Sequence, residues 1–135
     1  LSSLVSFSLD ALRISGQNIQ AGALAQEEME ALRNYRDGTL WANGLGAAAT
    51  GTDYYLKKSL DNPPQWQLIQ GQETVNNFTR KVLFSDVRRD GGSNIVESAG
   101  IIDPETKKAS ISVAWTEKSG SHQMSMDTYF TNWNK

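Results

Sequence analysis

The sequence predicts an α+β fold in which a long N-terminal α-helix packs against an antiparallel β-sheet, within a single domain spanning residues 1–135. Three observations lead there. Residues 1–35 hold no proline and place apolar side chains at Leu1, Leu4, Val5, Leu12, Ile19, Ala23, Met29 and Leu32, spacings that form one broad helical stripe. From residue 53 onward, short runs with strand-like alternation are separated by turn residues at hairpin spacing. One helix, one loop and then successive strands is the order expected when a helix covers one face of an antiparallel sheet.

The helix comes first. At 1.5 Å per residue it would run about 50 Å, longer than a domain of this size can cover. Its two halves differ chemically. Residues 1–26 are apolar, small or neutral-polar apart from Asp10 and Arg13, whereas residues 27–37 (EEMEALRNYRD) are dense in charge. Arg33 is spaced for contacts with Glu30 and Asp37 along one helix face. Gly16 and Gly22 each cost about 1 kcal/mol against alanine in a free helix, which points to close approach of another backbone. Met29, Leu32 and Tyr35 are expected to pack on the chain's own sheet. Leu1, Leu4, Val5, Leu12 and Ile19 are expected to pack against other subunits, with Asp10 and Arg13 forming a charged contact. Residues 1–9, aliphatic and serine-rich, read as the tail of a membrane-spanning helix, far short of the ~20 apolar residues a full span needs.

After Gly38, a favoured residue just past a helix end, Trp41 opens a loop, and residues 42–52 (ANGLGAAATGT) read as irregular connection rather than core. Residues 53–58 and 66–71 read as two strands flanking the turn Asp61-Asn62-Pro63-Pro64. Residues 77–89 form a longer strand with Phe78, Val82 and Phe84 on one face and Lys81, Ser85 and Arg89 on the other. Leu83 and Val87 break that alternation, so the strand is either bulged or buried on both sides. A turn at residues 90–94 leads into a strand over 95–102, and Asp103-Pro104-Glu105-Thr106 is expected to turn again. Residues 108–117 carry the cleanest alternation, with Ile111, Val113 and Trp115 pointing one way. They are followed by a hairpin turn and a last strand over 122–133.

The composition excludes several chemistries. Net charge is −2, which argues against a nucleic-acid backbone as an obligate partner. With no cysteine and a single histidine, His122, zinc sites and Cys-His catalysis are excluded and a Ser-His-Asp triad is disfavoured, and His122 is expected at an exposed hairpin edge. Glu27, Glu28 and Glu30 read as a solvated helix face rather than a paired-acid site. Asp86, Asp90 and Asn94 offer oxygens to calcium but lack the EF-hand pattern. Gly44-Leu45-Gly46 lacks the basic residue and helix of a phosphate loop. Arg80, Lys81, Arg88 and Arg89 make a modest basic strand that stands as the candidate ligand patch. No catalytic residue, metal or cofactor is assigned.

Residues 25–37 (AQEEMEALRNYRD), followed by Trp41, resemble the helix end of bacterial type IV pilin-like proteins, which carry A-Q-E-G-I-E-x-x-R-N-x-R-D and then a tryptophan. Val113-x-Trp115 and residues 128–133 (TYFTNW) resemble the last two strands of that family. The resemblance implies a pilin-like fold and a structural subunit of a type IV pilus or related filament, assembling through its N-terminal helix, without enzymatic activity. It also implies partners: other pilin subunits, the inner-membrane assembly machinery, a prepilin peptidase, and the membrane itself before assembly. The location would be a cell-surface pilus or the cell envelope. A leader and cleavage site would lie upstream of Leu1, so the family's decisive residues have no counterpart here. The disulfide-closed loop of many Gram-negative pilins is absent. The alternative is a minor pilin or pseudopilin whose head binds DNA, a surface or a secretion substrate.

Overall fold

The structure, a computed structural model, describes residues 19–132. The packing positions Leu1, Leu4, Val5, Asp10, Leu12 and Arg13 therefore lie outside the described residues. What is described corrects the expected fold class. The architecture is mostly antiparallel sheet, 50% strand in seven strands, with one helix, α1 (Ile19–Gly38), of 20 residues. The strands are β1 (Tyr54–Lys58), β2 (Trp66–Gln70), β3 (Glu73–Val75), β4 (Phe78–Arg89), β5 (Ile95–Val96), β6 (Ile101–Glu117) and β7 (Gly120–Thr131).

The strands outrun their sequence signals for a physical reason. Pro104 argues for a turn, yet β6 passes through it, because residues 104, 105 and 106 fall between the pairs Asp86↔Lys107 and Val87↔Asp103 and are not in ladder register with β4. A bulge leaves the proline with no ladder hydrogen bond to donate. The bulge also explains the broken alternation in β4: Phe78, Arg80, Val82 and Phe84 are buried in regular succession, and burial then skips to Val87. Conversely, the strand expected over residues 95–102 is interrupted, with only Ile95–Val96 and the start of β6 in ladder.

The sheet runs β2-β1-β4-β6-β7, all antiparallel, with β3 and β5 also paired to β4. Because β6 occupies one whole edge of β4, the strands β3, β1 and β5 share its other edge in succession. Cross-strand rows such as Val82–Ile111–Met126 and Arg80–Val113–Met124 align the core face. Onto that face α1 lays Ala21, Ala25, Met29 and Leu32, all 2% exposed or less. Small residues in the first turns let the helix backbone approach the sheet, and Met29 and Leu32 fill the space beyond. Met29, Leu32 and half-buried Tyr35 thus pack where the sequence places them.

Two short 3-10 turns, Trp41–Asn43 and Leu45–Ala47, follow the helix. This region corrects a second expectation: Leu45 and Ala48 belong to the core rather than to an irregular connection. Trp41 Nε1 donates to the Pro104 carbonyl at 2.8 Å, tying the loop to the β6 bulge. Gly46 is required there, since a Cβ would lie 2.6 Å from the Trp41 ring.

Candidate functional site

The chemistry of the molecule concentrates at the seam between α1 and β4. Arg80 points from β4 into the core face and is 6% exposed. Its guanidinium meets Glu27 at 2.8 Å, Glu73 of β3 at 2.8 Å and Glu28 at 3.8 Å, and it donates to the Leu24 carbonyl at 3.0 Å. One cation therefore holds two elements and three carboxylates together. Glu28 is 1% exposed, which corrects its reading as part of a solvated helix face. Its Oε2 has no hydrogen-bond partner among the described residues. Burial pushes the Glu28 carboxyl up to about 7; Arg80 and a backbone hydrogen bond from Leu56 pull it back, and Glu73 and Glu27 push it further up. Burial works against the charge on Arg80, but Glu28, Glu73 and Glu27 outweigh it and hold the guanidinium above its ordinary value.

The opposite face of α1 is a stripe of exposed residues, Ile19, Ala23, Glu27, Glu30, Asn34 and Asp37. It changes from apolar to charged along the helix, so the switch in the sequence survives as a switch on the surface. Ile19 is 75% exposed. Arg33 pairs with Glu30 as expected, whereas Asp37 is taken by Arg36, which also lies 5.1 Å over the Phe130 ring. Beside the apolar end of the stripe, Gln20, Ala23, Leu24, Glu27, Asn76 and Phe78 line a mostly apolar groove of about 170 Å³.

The expected basic patch is not one surface. Arg80 is consumed by the seam. Lys81 faces the other side of β4 and lies 3.6 Å from Asp53. Arg88 and Arg89 sit at the far tip of β4, where Arg89 Nε donates to Asp103 at 2.7 Å and Arg88, among the described residues, reaches only the Gly100 carbonyl, at 3.4 Å. The Arg89 hydrogen bond holds the Asp103 carboxyl below its usual range, helped by the Glu105 backbone N–H. The oxygens proposed for calcium are also engaged separately. Asp86 binds Lys107 at 2.8 Å, while Asp90 Oδ1 accepts from the backbone of Gly92 and Asn94 to close its turn. Among the described residues no group of three or more acidic or histidine side chains is placed to hold a metal. His122 lies beside the β6–β7 hairpin with its side chain 37% exposed, its ring stacked 5.6 Å from Trp115 and 2.9 Å from the Ser119 hydroxyl.

Sequence reading missed Glu28 and Arg80 as a buried pair. The signal was present in the alternation: Arg80 shares parity with Phe78, Val82 and Phe84, and Glu28 lies one turn from Ala25, Leu24 and Leu32 on the covered face. Among the described residues no helix is long and apolar enough to cross a membrane. The chain matches no protein-family model, no curated protein and no solved structure.

Proposed function

We propose that this chain is a structural subunit of a type IV pilus or related cell-surface filament, assembled through its N-terminal helix. The observation that carries this reading is the asymmetry of α1. One face is locked to the sheet by the core and the Arg80 seam, while the opposite face opens on exposed apolar Ile19 and Ala23. A helix anchored on one side and apolar on the other at its leading end can bury that end against helices of neighbouring subunits. The motif at residues 25–37 supports the same reading, and with it come a membrane-held precursor, a prepilin peptidase and other pilin subunits as partners. The subunit performs no catalytic step. A ligand-binding minor subunit draws less support, because Arg80 turns inward and Lys81 turns toward Asp53.

Ile19→Asp tests the reading in cells that produce the protein. An unpaired aspartate inside a dry bundle costs several kcal/mol at each interface it enters. Surface filaments should disappear in electron micrographs, while unfolding of the purified variant shifts by less than about 0.5 kcal/mol. Filaments of normal number and length from Ile19→Asp would overturn the proposal.

A further inference from the structure

The strand order ends in β2 on one side and in β7 on the other, and these two outer strands are built differently. β2 has 5 residues, and Pro63 and Pro64 stand just ahead of it. Shortness and proline are devices that keep an edge from pairing. β7 has neither. It runs for 12 residues in unbroken register with β6, and it holds no proline, lysine or arginine. An edge that long and regular is a template for another strand.

The ladder fixes which backbone groups that edge presents. Glu117 and Gly120 pair directly across the turn Lys118-Ser119, and the Asn132 N–H donates to the Glu105 carbonyl at 2.9 Å. Even-numbered residues of β7 therefore turn their backbone toward β6. The odd-numbered ones, Ser121, Gln123, Ser125, Asp127, Tyr129 and Thr131, turn N–H and C=O outward. Among the described residues no hydrogen bond uses those outward groups. The side chains of the same six residues lie on the exposed face, while Met124, Met126 and Phe130 on the other face are 2% exposed or less. Both faces of β7 are thus finished, and the strand is open along its backbone. What such an edge recognises is another extended backbone.

We propose that the β7 edges of two copies pair antiparallel about a two-fold axis at Ser125, joining two heads in one continuous sheet. A strand paired antiparallel with itself is self-complementary: each copy offers the other an edge of equal length, which β2 cannot do. Charge selects the register. Centred on Ser125, the pairing sets Gln123 opposite Asp127 and Ser121 opposite Tyr129, whereas centring on Asp127 would oppose two carboxylates, which destabilises. This contact goes beyond the filament reading and does not rest on it. A two-fold joins heads of opposite direction, whereas contacts that propagate a filament are heterologous.

Sedimentation equilibrium of the purified 135-residue chain reads the pairing, and a monomer–dimer equilibrium is expected. Ser125→Pro removes an outward N–H at the axis and leaves the bonds to β6 in place, so it should weaken the dimer about tenfold or more. Ser125→Lys keeps every backbone group and opposes two ammonium groups at the axis; it should weaken the dimer several-fold, with an unchanged urea midpoint. The chain has no cysteine, so oxidation of single-cysteine variants reads the register. Ser125→Cys meets its own copy and should cross-link in high yield. Ser121→Cys is displaced from its copy by about 26 Å along the ladder and should not. Ile19→Asp should leave the dimer intact, which separates this contact from any made by α1. A chain that stays monomeric at every concentration would overturn the pairing. So would a dimer that Ser125→Lys leaves unchanged or Ile19→Asp abolishes, or equal cross-linking of the two cysteine variants.

Discussion

Arg80 and Arg89 lie on the same strand, and the molecule treats them in opposite ways. Arg80 stands beneath α1, enclosed by Glu27, Glu28 and Glu73, with its side chain 7% exposed; Arg89 stands beyond the helix, with its side chain 32% exposed and one carboxylate partner. The difference is made by the cover. Where α1 excludes water, each charge must be answered by another, and the seam gathers three acids around one base. Where the sheet projects uncovered, water screens the arginine and a single pair suffices. One half of β4 is therefore a fastening for the helix, and the other is uncovered surface.

Substitutions can break or sharpen that contrast. The largest effect is expected from Trp115→Ala in the covered half, where the ring lies 5.7 Å from Phe78 and 5.6 Å from His122 and is 6% exposed. Loss of a buried aromatic costs about 3–5 kcal/mol, and urea unfolding measures it directly. An unchanged midpoint would remove Trp115 from the core. Arg80→Ala should follow, at about 3 kcal/mol well above the Glu28 midpoint of about 7, where the change strands an ionised Glu28 without its counter-charge. That cost should shrink as pH falls through about 7, where Glu28 takes up a proton. Arg89→Ala should cost less than about 1 kcal/mol, as a partly exposed pair does. Equal losses from the two arginine variants would erase the distinction between the halves.

Much of this organisation was readable beforehand. The end of α1 at Gly38, the core face of Ile111, Val113 and Trp115, and the irregularity of β4 all follow from spacing alone. Two kinds of feature did not. Pro104 reads as a turn because a sequence does not display the bulge that spares its missing donor, and so spacing alone underestimates the strands and overweights the helix. Charge also overrode parity: Arg80 and Glu28 occupy core positions by their spacing, but a charged residue is assigned to solvent unless its partner is known. That partner comes from another element, and pairing across elements is not written in local periodicity.

The central claim is that α1 is fastened to the sheet by a buried carboxylate–guanidinium seam, which leaves its other face free for neighbours. Glu28 reports on that seam. Its folded value of about 7 lies above the ordinary 4.5, so the native state binds the proton more tightly. The associated stability is fully present below about pH 4.5 and is lost as pH rises through about 7, a decline of about 3 kcal/mol that Glu28→Gln should abolish. The most direct measurement is the titration of the Glu28 side-chain carboxyl carbon by NMR in the folded chain. The account predicts a midpoint near 7; a midpoint at the ordinary 4.5 would show that burial does not outweigh Arg80 at Glu28 and would contradict it.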